Sequence, residues 1–269
     1  MMKIPKIIYY CWFGKKQLPE LAKKCIDSWK KFLPNYEIKE WNEQNFNIDA
    51  CLYTKQAYSL RKYAFVSDYA RFKILYDNGG IYFDTDVELI KSIDDIIENG
   101  PFMAFEKNNL GININPGLGI ASYSKHKIYK EILDIYENMK FIKDDNTLNL
   151  TIVGQYTTEI FKKYGLQNET KLQKIEDIYI YPKDYFSPKE FETQETIITK
   201  NTRAIHHYSA SWIDSYSRRE YIVICKYKLV RFKRNKQIIE DEISINKNEK
   251  ILFIMKVSQI KKIAILKEV

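Results

Sequence analysis

The hydrophobic pattern of the first forty residues changes from that of a strand to that of a helix and back to that of a strand. KIIYYCW over residues 6–12 is a β-branched and aromatic run, which predicts a buried strand. The next apolar residues recur at steps of four, four and three, as on one face of an amphipathic helix: Leu21, Cys25, Trp29 and Phe32. Pro34 ends this helix, and YEIKEW over 36–41 alternates as a strand does. A strand, a helix and a strand predict a parallel sheet covered by helices, and hence an α/β fold.

A second helix and strand follow after a short gap. Apolar residues keep helical spacing from Ser59 to Asp77, a segment without Pro or Gly. Gly79 and Gly80 come next, where glycine readily adopts the left-handed conformation that ends helices. IYFDTDV over 81–87 then predicts a strand. The pattern also predicts helices over 124–139, with Ser124 as N-cap, and 154–164, and short strands near 102–105, 178–181 and 204–208.

Composition indicates a folded chain with one main domain and a distinct tail. Hydrophobic residues make up 45% of the 269 residues and aromatic residues 14%, which is enough to bury a sizeable core. We therefore expect a domain over 1–217 and an extension over 218–269. The four cysteines are widely spaced, as is typical of free thiols in a reducing compartment. With no secretion-type or membrane-spanning apolar run, we expect a cytoplasmic protein, attached at most peripherally to the inner face of the membrane.

The excess of positive charge lies in the tail. The whole chain carries +8, and residues 218–269 alone hold 14 basic and 6 acidic residues, a difference of 8. Residues 1–217 are therefore formally neutral. A nucleic-acid enzyme typically shows a basic face across its main domain, so we expect no nucleic-acid partner.

Two carboxylates follow the apolar part of the strand predicted over 81–87. Asp84 and Asp86 are two residues apart, so on an extended strand both side chains point to the same side. Ligands of open α/β sheets bind at the carboxyl ends of the strands. Carboxylate and phosphate oxygens suit Mg²⁺ or Mn²⁺. The alternative is that D-x-D is an accidental tripeptide at a solvated strand end.

An oppositely charged pair lies on the helix before this strand. Asp68 and Arg71 are at i and i+3 and are therefore neighbours on one helix face. Arginine is suited to phosphate or sugar oxygens, and a carboxylate to sugar hydroxyls. The alternative is a surface ion pair of little energetic consequence.

Three segments resemble one family of enzymes: SDYARFKILYDNGGIYFDTDV (67–87), PKIIYYCWFG (5–14) and AIHHYSASW (204–212). They are similar to segments of the D-x-D sugar-binding glycosyltransferases of family 32, which are related to the glucosyltransferase domain of clostridial glucosylating toxins. The resemblance implies a single-domain GT-A fold, Rossmann-like and nucleotide-sugar-binding. It also implies a nucleotide-diphosphate sugar donor, Mn²⁺ or Mg²⁺, and retention of the anomeric configuration.

The resemblance also implies roles for individual residues. Trp12 would stack on the nucleobase, although a core position is equally compatible with its sequence. Asp68 and Arg71 would hold the donor sugar, and Tyr82 and Asp84 would contact the ribose or sugar, with simple packing as the alternative for Tyr82. Asp86 would be the direct metal ligand, and Asp84 would contribute to the same metal site.

The C-terminal segment and a glycine-rich loop supply the remaining candidates. His206 and His207 are two of three histidines in the chain, and we expect His207 to be the metal ligand or the hydrogen-bond donor to the leaving phosphate. Ser211 and Trp212 would close over the diphosphate. Asn115, in NINPGLGIASYS over 113–124, would border the sugar pocket.

The tail has its own pattern. In YIVICKYKLVRFKR over 221–234, apolar residues repeat at helical steps among five basic residues, which predicts a basic amphipathic helix and a mainly helical extension. Such a helix either lies on an anionic membrane or packs on the domain with a solvated charged rim.

These observations together predict a retaining, metal-dependent hexosyltransferase. It would move a hexose or N-acetylhexosamine from a nucleotide sugar, with UDP-sugars favoured and a GDP-sugar still open. The acceptor would be a glycan or lipid-linked oligosaccharide in surface or capsular polysaccharide biosynthesis. A toxin-like or effector-like protein glycosyltransferase and a non-catalytic nucleotide-sugar-binding module are the alternatives.

Overall fold

The computed structural model describes residues 3–108, 111–189 and 195–209, together with the backbone of four strands between 221 and 256. The chain divides into two compact units, Met1–Ser209 and Ala210–Val269. The boundary predicted at 217 lies outside the described residues.

Helices and strands alternate through most of the first unit. The helices are α1 (Glu20–Phe32), α2 (Leu52–Ser59), α3 (Tyr63–Asn78), α4 (Asp94–Asn99), α5 (Lys127–Glu137), α6 (Val153–Lys163) and α7 (Lys183–Phe186), with a 3₁₀ turn at Ile48–Ala50. The strands are β1 (Ile7–Cys11), β2 (Glu37–Trp41), β3 (Gly80–Tyr82), β4 (Val87–Leu89), β5 (Phe102–Asn108), β6 (Gly111–Ile114), β7 (Ile120–Ser122), β8 (Gln173–Ile175), β9 (Ile178–Tyr181) and β10 (Ala204–His206).

Most of these strands form one mixed sheet. Among the described residues it has eight strands, in the order β2-β1-β3-β7-β5-β9-β8, with β6 paired to β5. β1 pairs in parallel with both β2 and β3, so the carboxyl ends of these three strands lie at the same edge. β4 pairs separately with β10. The predicted α/β class and the Rossmann-like opening of a GT-A fold are confirmed.

The core lies on both faces of the sheet. Ile8 and Tyr10 belong to a buried cluster that includes Trp29 of α1, whereas Tyr9 and Cys11 belong to a second cluster with residues of α3, α5 and α6. Alternate residues of β1 therefore pack against opposite helical layers. This explains why β1 is an uninterrupted apolar run.

α3 ends where the sequence predicted. Gly79 has φ +69° and donates its N–H to Leu75 O, and Gly80 with φ +110° begins β3. The predicted start at Ser59 is wrong, since α2 ends there and Arg61, with φ +57°, breaks the helix before α3.

The strand predicted over 81–87 is also wrong. β3 ends at Tyr82 and β4 begins at Val87, and the D-x-D residues form a turn in which Val87 N donates to Asp84 O at 3.1 Å. Asp84 N donates to Gly117 O instead of continuing the pairing with β1. Strand alternation therefore does not determine where the two carboxylates point.

The later elements agree with prediction except at their ends. α5 and α6 confirm the predicted helices, and β5, β9 and β10 the predicted strands, with shifted bounds. The N-cap of α5 is His126 rather than Ser124, because the His126 side chain accepts a hydrogen bond from Ile128 N.

The second unit contains strands where the sequence predicted a helix. β11 (Tyr221–Cys225), β12 (Lys228–Phe232), β13 (Ile238–Asp241) and β14 (Met255–Lys256) form an antiparallel sheet in the order β13-β12-β11-β14. The basic amphipathic helix predicted over 221–234 is therefore wrong, and the described residues of the predicted helical extension form strands. Adjacent β-branched residues in YIVI favour strands more than the helical spacing favours a helix. No helix in the described part of the chain has the length and apolar character to cross a membrane.

α1 holds β4 in place through Ser28. Ser28 Oγ accepts a hydrogen bond from Leu89 N at 2.9 Å and donates to Cys25 O at 2.5 Å. Ser28→Ala leaves the buried N–H of Leu89 without a partner, so we expect the free energy of unfolding in urea to fall by about 1–3 kcal/mol. Ser59→Ala is the matched control, because the exposed Ser59 hydroxyl donates to Gln56 O and accepts no backbone N–H. Equal losses for the two variants would contradict this role of Ser28.

Candidate active site

The carboxyl edge of the parallel strands brings the predicted residues together. Trp12 follows β1, Asp84 follows β3, and α3 runs directly into β3 through its glycine turn. Asp68 and Arg71 lie on α3 and are 8% and 3% exposed. The pair is therefore buried, and the alternative of a surface ion pair is wrong.

Arg71 is the centre of this site. Its Nη2 lies 2.9 Å from Asp68 Oδ1 and 3.2 Å from Asp84 Oδ1, and its Nε donates to Ser67 O at 3.1 Å. The guanidinium carbon lies 5.1 Å from the centre of the Tyr82 ring, and the Tyr82 hydroxyl donates to Asp84 Oδ1 at 2.9 Å. One buried cation therefore joins the helix to the D-x-D turn.

The two carboxylates bound to Arg71 are shifted toward protonation. Burial raises the pKa of Asp68 to about 7, with the charge of Arg71 opposing this and that of Asp84 adding to it. Burial also raises the pKa of Asp84, and Arg71 opposes that shift. Two acids thus share one cation, and burial favours their protonated forms.

A close approach of backbone fixes Asp84 on its other side. A Cβ atom on Gly117 would overlap Asp84 Oδ2, so any larger residue here must displace the Asp84 carboxylate. Asn115 Oδ1 accepts a hydrogen bond from Gly117 N at 2.8 Å, and Asn115 N donates to Ala104 O. Asn115 therefore shapes the loop that packs on Asp84.

Asp86 has a different set of partners. Its Oδ2 accepts hydrogen bonds from Ser209 N at 2.9 Å and Ser209 Oγ at 2.8 Å, and its Oδ1 lies 3.4 Å from His206 Nε2. Burial would raise the pKa of Asp86, but His206 and Ser209 hold it well below its ordinary value. Asp86 is therefore ionised at neutral pH, whereas the pKa values of the two carboxylates on Arg71 are raised.

Glu106 is a site residue that the sequence analysis missed. It is 7% exposed on β5, and its Oε1 lies 3.7 Å from His206 Nδ1. Burial lowers the pKa of an imidazole, but Asp86 and Glu106 outweigh burial and raise the pKa of His206 to about 10. A single acidic residue inside the apolar run FMAFEKN was the available signal.

The structure places His206, rather than the expected His207, beside the Asp86 carboxylate. His207 Nε2 lies 2.7 Å from Glu88 Oε2, and only its backbone N–H contacts Asp86, donating to Asp86 O at 2.9 Å. β10 pairs with β4, so successive side chains point to opposite faces and only His206 faces Asp86. His206 is charged in this arrangement, which makes it a hydrogen-bond donor.

Trp12 lies at the margin of the site. Trp12 is half-buried, donates its Nε1–H to Lys16 O at 2.5 Å, and packs partly on the core. It lies at the expected edge but outside the Arg71 cluster. Ser211 and Trp212 lie outside the described residues.

The site offers a metal ion one carboxylate ligand rather than a complete set of protein ligands. In the part of the chain that the structure describes, no group of three His, Cys, Asp or Glu side chains is arranged to hold a metal ion. Asp86 is nevertheless an ionised carboxylate at the ligand-binding edge, and nucleotide enzymes hold Mg²⁺ with one or two carboxylates plus phosphate oxygens. Asp84 Oδ1 is already bound by Arg71 and Tyr82.

Gly117→Ala tests whether the position of Asp84 matters. The added methyl group must displace the Asp84 carboxylate from Arg71, so we expect hydrolysis of a nucleotide sugar to fall by about 10- to 100-fold. The measurement is initial rate, with circular dichroism to confirm folding. In an Asp84→Ala background the same change has nothing to displace, and a further loss of equal size there would contradict the explanation.

The two adjacent histidines make a matched pair of variants. His206→Gln removes the cation beside Asp86, so we expect it to lower nucleotide-sugar hydrolysis by about tenfold or more, whereas His207→Gln changes it by less than about threefold. Rates at saturating donor distinguish the two. A larger loss of hydrolysis in His207→Gln than in His206→Gln would instead support His207 as the residue that acts on the metal or the leaving phosphate.

Comparisons with known proteins converge on one activity. Residues 19–103 match the model of the glycosyltransferase sugar-binding region containing the DXD motif. An uncharacterised glycosyltransferase, L373, of Acanthamoeba polyphaga mimivirus is 28% identical over 202 residues, which cover 69% of this chain and 76% of that protein.

Two solved structures are similar over much of the chain. The PaToxG glycosyltransferase is 18% identical, with a TM-score of 0.46, over 60% of this chain and 70% of its own. A glycosyltransferase involved in the glycosylation of the major capsid of PBCV-1 is 12% identical, with a TM-score of 0.42, over 77% and 95%.

The matched region contains Asp68, Arg71 and both D-x-D carboxylates, the residues that meet at the carboxyl edge of the sheet. The chain is therefore a glycosyltransferase, and its residues 19–103 match the sugar-binding region that contains the DXD motif.

Proposed function

We propose that this glycosyltransferase transfers a hexose or N-acetylhexosamine from a nucleotide-diphosphate sugar, most favourably a UDP-sugar, onto a hydroxyl group of a glycan or lipid-linked oligosaccharide. One observation carries the proposal. The buried Asp68–Arg71–Asp84 network, with mostly neutralised charge, lies in the same turn region as the ionised Asp86. The Arg71 network is suited to the hydroxyl groups of a sugar, and the ionised Asp86 is suited to a metal-bound diphosphate.

The Arg71 network suits the sugar end of the donor. Asp68 and Asp84 are oriented by Arg71 and retain oxygens that can accept hydrogen bonds from sugar hydroxyls. Trp12, at the end of β1, offers a half-buried ring on which the nucleobase would stack.

Asp86 suits the diphosphate end. It would hold Mn²⁺ or Mg²⁺, which would neutralise the charge that develops on the departing diphosphate. His206, held in its charged form between Asp86 and Glu106, adds a second positive charge near that group. Ser209 orients Asp86 through two hydrogen bonds.

The transfer breaks the bond between the anomeric carbon and the diphosphate oxygen, and the electron pair leaves with the diphosphate. The acceptor oxygen bonds to the anomeric carbon, and its proton passes to the departing phosphate oxygen. The described carboxylates at this edge, Asp68, Asp84, Asp86 and Glu106, each already bind a cation or a hydrogen-bond donor. This supports displacement on one face of the sugar, with retention of configuration, rather than attack by an enzyme carboxylate.

The charge distribution supports an acceptor near a membrane. Residues 218–269 carry 14 basic and 6 acidic residues, and basic segments are attracted to anionic lipid surfaces. A lipid-linked oligosaccharide of surface polysaccharide assembly presents its sugar at such a surface, at the inner face of the membrane.

Asp86→Asn tests the proposal directly. The variant lacks the carboxylate charge that would hold the metal, so Mn²⁺-stimulated hydrolysis should fall by about 100-fold or more. Without the metal, the negative charge that develops on the departing diphosphate is not neutralised. The assay uses a panel of UDP-glucose, UDP-galactose, UDP-N-acetylglucosamine and a GDP-sugar, with and without Mn²⁺.

Asp27→Asn is the control, since this exposed aspartate lies on the surface of α1 and pairs with Lys30. It should retain wild-type hydrolysis. Full activity of Asp86→Asn, still stimulated by Mn²⁺, would overturn the proposal.

A further inference from the structure

A polar pocket outside the Arg71 network lies between β6 and α6. Its volume is about 560 Å³, within the range of roughly 300–1,000 Å³ that is typical of small-molecule sites. Amide, hydroxyl, carboxylate and aromatic side chains line it, among them Asn113, Thr151, Gln155, Tyr156, Glu159 and Asn168.

This pocket adjoins the candidate active site at one wall. Asn113 on β6 is directly opposite Glu106 on β5 in the antiparallel register, so both side chains lie on the same face of the sheet. Glu106 in turn contacts His206, which contacts Asp86. Only one pair of neighbouring side chains thus separates the pocket wall from the diphosphate end of the site.

A second wall leads to the sugar end. The Tyr156 ring lies 5.7 Å from that of Tyr136, with the T-shaped geometry of contacting aromatic rings. The Tyr136 ring in turn lies 6.0 Å from the ring of Tyr69, which is the neighbour of Asp68 on α3. The pocket therefore flanks both halves of the active site.

Asn113 supplies an unused hydrogen-bond donor in this pocket. Its side chain is 9% exposed, and its Nδ2 has no hydrogen-bond partner in the structure. Buried amide groups are normally paired, because leaving one unpaired is unfavourable. Because this nitrogen is buried, a ligand oxygen in the pocket would satisfy it once the Asn113 amide turns toward the pocket.

The chemistry of the lining favours a neutral, hydroxyl-rich ligand. The side chains of Gln155 and Asn168 both donate and accept hydrogen bonds, as sugar hydroxyls require, and Tyr156 offers an aromatic face. Glu159 is paired with Lys162 at 2.7 Å, so the rim has no unbalanced charge to attract a phosphate.

The pocket is built on a close and rigid contact. Thr158 Oγ1 accepts a hydrogen bond from Ile114 N at 2.9 Å and donates to Gly154 O at 2.6 Å. A Cβ atom on Gly154 would lie 2.8 Å from Ile114 O. The glycine therefore lets α6 pack closer to β6 than a residue with a side chain would allow. The walls are thus preformed for binding.

We propose that the pocket between β6 and α6 binds the acceptor saccharide, with Asn113, Gln155 and Glu159 as its specificity-determining residues. This inference rests on the proposed function, because it assigns the acceptor of that same transfer. The saccharide would enter from the α6 side and present one hydroxyl toward the site flanked by Asp68 and Glu106.

Saturation-transfer NMR on the full chain with UDP and Mn²⁺ tests this assignment. The probes are the p-nitrophenyl β-glycosides of glucose, galactose and N-acetylglucosamine. At least one should give a saturation signal with the wild type, and Gln155→Ala and Glu159→Gln should each lower it by about fivefold, the loss expected for one or two hydrogen bonds. Asn113→Ala should lower the signal by a similar factor if the variant folds. If it does not fold, Gln155→Ala and Glu159→Gln are sufficient for the test.

Glu20→Gln is the matched control, since Glu20 on α1 makes the same i, i+3 pair with Lys23, also at 2.7 Å. It should leave the signal unchanged. Absence of any signal with the wild type, or equal signals in wild type and both pocket variants, would overturn the inference. Hydrolysis of UDP-sugars by the wild type is measured in parallel. Hydrolysis without pocket binding defeats only this inference, whereas binding without hydrolysis of any donor defeats the proposed function and with it the assignment of the bound saccharide as acceptor.

Discussion

The buried charge of Arg71 is the constraint on which the site depends. A guanidinium group with 3% exposure must be neutralised within the protein, and Asp68 on the same helix and Asp84 in the D-x-D turn do this together. Removing either carboxylate leaves the cation only partly compensated. The interaction therefore ties the orientation of α3 to the position of the turn that follows β3, and it converts a flexible connection between two short strands into a defined surface.

Around this ion cluster the protein separates two electrostatic environments that lie two residues apart in sequence. Asp84 shares a cation with Asp68 and has a raised pKa, whereas Asp86 is bound by Ser209 and the charged His206 and has a lowered pKa. The turn between β3 and β4 makes this possible, because it directs the two carboxylates to different partners. A continuous strand would have placed both in one environment. The division matches the two halves of a nucleotide-sugar donor, one rich in hydroxyl groups and one in charge.

Much of this arrangement was predictable because it depends on local patterns. The apolar run of β1, the face of α1 and the glycine turn after α3 placed Trp12, Asp68, Arg71 and Asp84 at one edge of the sheet. The rest depends on contacts between residues far apart in sequence. Glu106 is part of the site only because β5 and β10 bring it next to His206. Likewise, His206 rather than His207 faces Asp86 only because of the register in which β10 pairs with β4. The tail shows a further limit, since residues 221–234 satisfy helical spacing and strand propensity at once, and the structure contains strands.

The most direct test of the central role of Arg71 is the rate of nucleotide-sugar hydrolysis by Arg71→Lys. Lysine preserves the charge but cannot bond Asp68, Asp84 and Ser67 O together with the fixed geometry of a guanidinium group. The account predicts a folded protein with hydrolysis lowered by about 100-fold, because Asp84 loses its orientation. Hydrolysis within about threefold of the wild type would show that charge alone suffices, and it would contradict the account.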